Sequence, residues 1–252
     1  MYIPNGNGMS VEMIDHMGDD YSVVNAARVS FAKHVSAEDY IDTQYGIRLP
    51  TGAVLTTIPV VADKDEKLIK YLAEHNHIIP FAHASLQFYI KAPIFVARQL
   101  GKHQVGLAWN EISRRYVDVE VNCWNTSEWR ERAVNKKQGS KDTFVDDHNA
   151  TRKSVSDAYE EAINKAIETY EYMLSIGVCP EQARAVLPQS MFTEWYWTGS
   201  LLAFARVVNL RLDEHAQAEV RFIASEISQQ ASKLFPVCWK YLTQKDNKHG
   251  SN

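Results

Sequence analysis

Residues 85–116 read SLQFYIKAPIFVARQLGKHQVGLAWNEISRRY, and this stretch carries both a fold signal and a chemical one. Leu86, Phe88 and Ile90 alternate with Ser85, Gln87, Tyr89 and Lys91, the period of a half-buried antiparallel strand. Pro93 then suits the first turn of a helix, where its missing N–H costs nothing, and Ile94, Phe95 and Val96 follow it. On that helix Arg98 and Lys102 lie four apart, so both cations are expected to leave one face toward a shared ligand. From residue 98 onward, cations, amides, a carboxylate and hydroxyls are packed too densely for an ordinary helix surface. Arg and Lys neutralise phosphate oxygens, while Glu, Asn and Ser satisfy directional hydrogen bonds of a ring or sugar. The expected ligand is a nucleotide.

Upstream, residues 11–14 and 21–27 read as short strand or strand-helix pieces, and 34–57 as polar and irregular. Asp63 followed by Glu66 resembles a capping box, with Leu68, Ile69 and Leu72 at helical spacing behind it, so a helix is expected over 63–76. Downstream, residues 135–149 (NKKQGSKDTFVDDHN) read as a polar loop or insertion. Residues 151–176 are the strongest helix, with Val155, Ala158, Tyr159, Ala162, Ala166, Ile167, Tyr170, Met173 and Leu174 at three- and four-residue intervals and Gly177 and Pro180 ending it. Its aromatic and Met positions read as packing rather than a cofactor box. Further helices are expected over 180–185, 189–210 and 212–234, ahead of a flexible, solvated tail from Lys245. No internal repeat is found, and the 252 residues are expected to form a single domain of the α+β class, an antiparallel sheet packed with long helices.

A formal charge of −4 gives no global basic field for wrapping nucleic acid, so an anion site must be a local cluster such as 98–115. Residues 1–13 lack a basic start followed by an apolar run, and the apolar stretch 201–210 is broken by Arg206 and too short to span a bilayer. A soluble, cytoplasmic protein without membrane or nucleic-acid partners is expected. Cys123, Cys179 and Cys238 are scattered, which fits neither a disulfide framework nor a metal knuckle. His75, His77 and His83 match no standard zinc spacing, so no metal is expected, and no GxGxxG turn or Walker loop is present.

Asn110, Glu111, Ser113, Arg115 and Tyr116 spell Asn-Glu-x-Ser-x-Arg-Tyr. The stretch resembles the signature of the flavin-dependent thymidylate synthases, in which this heptad follows an Arg-His-Arg and a Ser. Lys102, His103 and Gln104 stand where the family has Arg-His-Arg, with a spacer one residue longer. NAARVSF (25–31), HNHIIPFAH (75–83), KAPIFVARQ (91–99), ARAVLP (183–188) and NLRLDEHAQAEVR (209–221) each resemble a family block, in family order, so the resemblance spans about residues 23–226.

The resemblance implies a homotetramer whose active sites are shared between subunits. The implied reaction is reductive methylation of dUMP to dTMP, with 5,10-methylenetetrahydrofolate giving the carbon, NADPH the reducing equivalents and FAD carrying the hydride. It also implies chemistry without a cysteine nucleophile, and none of the three cysteines falls in a family block. Arg211 is carried over as the catalytic residue, contacting the uracil ring. Gln99, Lys102, Glu111, Ser113, Arg114, Arg115, Arg184 and Arg211 match dUMP-binding positions. Ser30, His77, Ile79, Lys102, His103, Gln104, Glu111, Ser200, Leu202, Arg206 and His215 match FAD-binding positions, with Ile79, Gln104, Ser200 and Arg206 departing from the residues common there. Outside its block Arg211 would read as a surface residue paired with Asp213 or Glu214. His215, four residues on, is expected one helical turn beyond Arg211 and facing the same cavity. Two rival functions are a non-catalytic nucleotide- or RNA-binding protein on the same fold, and flavin-dependent methylation of another uracil-containing substrate.

Overall fold

The alternation at 85–91 forms strand β4 (Ser85–Pro93), in which Leu86, Phe88, Ile90 and Ala92 are all buried. The coordinates are a computed structural model that describes residues 6–33, 47–48, 54–55, 61–117, 120–134, 139–146 and 153–243. Its elements run β1 (Ser10–Met17), α1 (Asp20–Arg28), β2 (Ile47–Arg48), β3 (Val54–Leu55), α2 (Asp63–Glu74), β4, α3 (Ile94–Leu100), β5 (Leu107–Glu111), β6 (Arg130–Arg132), β7 (Ser140–Phe144), α4 (Val155–Ser175), α5 (Pro180–Ala183), β8 (Phe192–Ser200), α6 (Leu201–Arg211), α7 (Ala218–Leu234) and α8 (Pro236–Thr243). Four strands form one sheet in the order β1-β4-β8-β5, and β2-β3 and β6-β7 are antiparallel pairs. The partners Gln87 with Thr198, Tyr89 with Tyr196 and Lys91 with Glu194 show β4 and β8 running antiparallel. Mixed helix and antiparallel sheet is the architecture expected from the sequence.

Two compact units are present, one drawn from Met1–Ile14, Phe88–Trp197 and Leu210–Glu226, the other from Asp15–Gln87, Thr198–Asn209 and Ile227–Asn252. The first has a core of Phe88, Ile90, Val96, Leu100, Trp195 and Trp197. There α4 begins at a Ser154 cap, whose hydroxyl accepts from the Asp157 amide at 3.0 Å, and ends before Gly177, whose φ of +92° suits a residue without Cβ. The Tyr159 hydroxyl of α4 donates to the Trp124 carbonyl at 2.8 Å, so this aromatic is packing, as expected. A buried Arg130–Glu219 pair at 2.8 Å joins β6 to α7.

The second unit is held by buried carboxylates as well as apolar side chains. Asp20, 2% exposed, accepts from the amides of Val237 at 2.9 Å and Cys238 at 2.8 Å, so it caps α8. Burial pushes the Asp20 carboxyl up from its ordinary value, against those two amides. Arg28 pairs with buried Asp65. Asp19 and Ser22 form a reciprocal capping box at α1, with bonds of 2.9 and 3.1 Å.

Several local expectations are corrected. The capping box at Asp63 is not formed: Ala62 is the N-cap without a side-chain bond, and Glu66 instead accepts from Lys240 at 3.0 Å and Tyr241 at 2.8 Å. Pro93 closes β4 in an extended conformation, and α3 stops at Leu100 because Gly101 caps it. Lys102 therefore sits in a turn, and no helical register relates it to Arg98. The helix expected over 189–210 is strand β8 followed by α6: Thr193, Trp195 and Trp197 are buried while Glu194 and Tyr196 turn outward, a two-residue period. The helix expected over 212–234 begins only at Ala218, since residues 212–217 form a turn that the buried Arg221 ties by donating to the Glu214 carbonyl at 3.1 Å. Within 135–149, residues 140–144 form β7. Most of 34–57, residues 135–138 and 147–149, the helix start at 151–152 and the tail from Lys245 lie outside the described residues. Among the described residues no helix is long and apolar enough to cross a membrane.

Candidate functional site

The turn after α3 is tight. The His103 amide donates to the Leu100 carbonyl at 2.9 Å, and Gly106, at a φ of +75°, lets the chain reverse into β5. This places His103 against Arg211, the last residue of α6. The Arg211 Nε–H donates to His103 Nε2 at 2.9 Å, and an Nη2–H donates to the Gln99 carbonyl at 3.0 Å. Desolvation first, and the Arg211 charge second, push the His103 imidazole below its ordinary value. With Nε2 accepting from Arg211, its proton is assigned to Nδ1. Burial also lowers the Arg211 pKa, and a guanidinium keeps its proton throughout the working range. The Gln99 side chain is held by Gln217, which the sequence reading did not single out.

Two cavities in the first unit share Glu111. One of about 640 Å³ is lined by Lys91, Glu111, Arg114, Asn122, Arg184 and Glu194, with Ile94, Leu187, Met191 and Phe192 as apolar wall. The other, of about 400 Å³, is lined by Arg98, Lys102, His103, Gln104, Trp109 and Glu111. Lys102 and Arg98 thus do line one cavity, through the turn rather than through helical spacing. Glu194 accepts from the Tyr89 hydroxyl and lies 3.6 Å from Lys91, and that carboxylate contact pushes Tyr89 up to about 12. Arg114 donates to the Glu120 carbonyl at 3.0 Å. Arg184 follows α5 and donates to the Glu181 carbonyl at 3.2 Å. Ser113 sits in the turn after β5, where its carbonyl accepts from the Tyr116 amide at 3.0 Å, and exposed Arg115 lies over the Tyr116 ring at 5.0 Å.

His215 is placed differently from the expectation. Because α6 ends at Arg211, no helical turn connects the two, and His215 lines a third cavity, of about 510 Å³, with Lys141, Glu214 and Arg221. Its ring lies 3.5 Å from the Glu214 carboxylate. Ser30, His77, Ile79, Ser200, Leu202 and Arg206 belong to the second unit. There Ser30, His77 and Arg206 are exposed, Ile79 is 68% exposed, and the Ser200 hydroxyl accepts from the Ala203 amide at 3.2 Å at the start of α6. His75 is occupied by stacking on Tyr71 at 4.1 Å. Among the described residues no three His, Cys, Asp or Glu gather as a metal site.

The sequence reading missed Thr193 and Trp109, both of which bond Glu111. Thr193 was hidden by reading β8 as helix, although the alternation of 193, 195 and 197 was there to find. Trp109 adjoins Asn110 within the quoted stretch, and its two-residue spacing from Glu111, which puts both side chains on one face of β5, was the signal that could have found it.

The family described as thymidylate synthase complementing protein, Thy1, matches residues 12–237. A flavin-dependent thymidylate synthase of Thermosipho africanus (strain TCF52B) is 38% identical over 218 residues, 86% of this chain and 83% of that protein. The chain belongs to the flavin-dependent thymidylate synthase family. A second relative of that name, from Kosmotoga olearia, is 36% identical over 91% of this chain and 88% of its own length. Among solved structures, a UMP/dUMP methylase, PolB from Streptomyces cacaoi, bound with 5-Br UMP, is 27% identical and matches with a TM-score of 0.74 over 94% of each chain. This flavin-dependent thymidylate synthase family member is thus an enzyme of the methyltransferase type, and the family's cofactor is FAD.

Proposed function

We propose that the protein converts dUMP to dTMP, taking the carbon from 5,10-methylenetetrahydrofolate and reducing equivalents from NADPH. The observation that carries this reading is the Arg211 guanidinium fixed by the Gln99 carbonyl and by His103, which lines the smaller of the two cavities that share Glu111. Among the described residues two Arg211 N–H donors are engaged, which leaves the other Nη–H groups for the oxygens of a uracil ring, where they stabilise charge that develops during methylation. Arg114 and Arg184 in the larger cavity, with Lys102, Ser113 and Arg115, bind and orient the nucleotide phosphate and sugar. Glu111 and Gln99 fix the pyrimidine.

The chemistry of the smaller cavity fits FAD: Arg98 and Lys102 offer positive charge for a diphosphate, and His103 and Gln104 offer directional donors. Bound there, FAD supplies the hydride. Ser30, His77, Ile79, Ser200, Leu202, Arg206 and His215 are proposed to complete that site in a homotetramer of shared sites. Two of the three thiols support a mechanism without a cysteine nucleophile, because burial pushes Cys123 and Cys238 up, away from the thiolate.

Release of tritium from C5 of labelled dUMP by purified, yellow, FAD-bearing protein tests the reading. A colourless protein that stays colourless with added FAD and releases no tritium refutes it. The neighbour that bears the name UMP/dUMP methylase makes UMP the rival substrate, and UMP turned over in preference to dUMP would establish it.

A further inference from the structure

Glu111 is exposed on the last position of β5, where an unrestrained glutamate samples several rotamers. Here both of its carboxylate oxygens are held. The Thr193 hydroxyl donates to Oε1 at 2.6 Å, and the Trp109 Nε1–H donates to Oε2 at 3.1 Å. Neither donor is free to wander. Thr193 is 4% exposed on the buried face of β8. Trp109 stacks on Trp195 at 4.3 Å and meets Trp197 edge-on at 5.5 Å, and both partners are buried. Satisfying a buried threonine needs only one acceptor, and an accessible indole N–H can use water, so neither demand alone explains why the two converge on opposite oxygens of one solvent-facing carboxylate.

We propose that Thr193 and Trp109 are positioning residues that hold Glu111 in a single orientation for contact with the pyrimidine nucleotide. The inference rests on Glu111 touching the nucleotide, as set out above. Preorganisation of this kind removes an ordering cost from ligand binding and narrows the approach geometry.

Thr193→Val keeps the shape and removes the hydroxyl, Thr193→Ser keeps the hydroxyl, and Trp109→Phe keeps a ring but removes the N–H. The dUMP dissociation constant by calorimetry and kcat/KM by tritium release are measured on FAD-bearing protein whose thermal transition matches the parent. Thr193→Val and Trp109→Phe are each expected to weaken dUMP binding and lower kcat/KM about 10-fold, the size of one lost hydrogen bond to a charged group. Thr193→Ser should return to within about 2-fold of the parent, and in a Glu111→Ala background Thr193→Val should change either value by less than about 2-fold, since the group it positions is gone. Parent-like binding and turnover by Thr193→Val and Trp109→Phe beside an impaired Glu111→Ala overturns the clamp alone, as does an undiminished Thr193→Val loss in the Glu111→Ala background. Parent-like dUMP binding by Glu111→Ala removes Glu111 from the nucleotide site and overturns the clamp together with that reading.

Discussion

Arg211 offers the sharpest test, because its charge and its fork can be removed separately. Its two bonds, at 2.9 and 3.0 Å, come from a charged donor at a half-buried position, so each is worth about 1.5 kcal/mol, the low end for charged groups. Arg211→Ala loses both, about 3 kcal/mol of anchoring to the turn after α3, and with them the charge that the proposed function assigns to the uracil ring. Loss of one such preorganised donor typically lowers kcat by about 10²–10³. Arg211→Lys keeps the charge but offers a point donor in place of a planar fork, so roughly a tenfold loss is expected from one missing bond. FAD absorbance should persist in both. Independently, His103 reports the geometry: with the Arg211 charge gone, its imidazole pKa should rise in Arg211→Ala, while desolvation still holds it below the ordinary 6.5. Since the folded value lies below 6.5, the unfolded chain binds more protons there. The stability due to neutral His103 is therefore complete above 6.5 and lost as pH falls through the folded value. Turnover at the parental rate in Arg211→Ala, or an imidazole titration by NMR that does not move, refutes this reasoning.

Removing the Asp20 carboxylate should cost about 2–4 kcal/mol by chemical denaturation, the buried Cys238 amide and the part-buried Val237 amide being left unsatisfied in Asp20→Ala; Asp20→Asn, which keeps one acceptor, should recover part of it. Because burial raises Asp20 in the fold, the folded state binds the extra proton between the ordinary 3.8 and the raised value, so Asp20 contributes stability on acidification through that window and loses it as pH rises, a dependence that Asp20→Asn should abolish. Replacing Cys123, Cys179 and Cys238 together by Ser should leave tritium release within about 3-fold of the parent, and its complete loss in folded protein would point to thiolate chemistry. Dilution or interface mutation that yields folded monomers should abolish turnover if sites are shared, and monomers with full kcat would contradict that arrangement.

What the sequence showed clearly, it showed through period. β4 was readable because Leu86, Phe88 and Ile90 repeat at strand spacing and are buried, and α4 because Tyr159, Ala166, Tyr170 and Met173 repeat at helix spacing, although of these four only Tyr170 is fully buried. β8 was missed although Thr193, Trp195 and Trp197 alternate, because its aromatic run lies directly against the apolar run of α6 and the change is marked by no more than Gly199 and the Ser200 cap. The site was legible as residue types but not as geometry. Arg98, Lys102 and Glu111 were found from their chemistry, whereas the union of Arg211 with His103 joins residues 108 apart in the chain, which no local pattern encodes. His215 was misplaced for the opposite reason: a local spacing was extended past Arg211, where the helix had already ended.

One carboxylate serving as wall to two chambers ties their occupancies together. Because Thr193 and Trp109 hold both of its oxygens, Glu111 presents one fixed charge to both chambers, and wherever ligands in the two draw on that charge, reciprocity requires each to alter the other's affinity by the same factor. Such coupling would pass through a single rigid side chain, with no hinge or lid required.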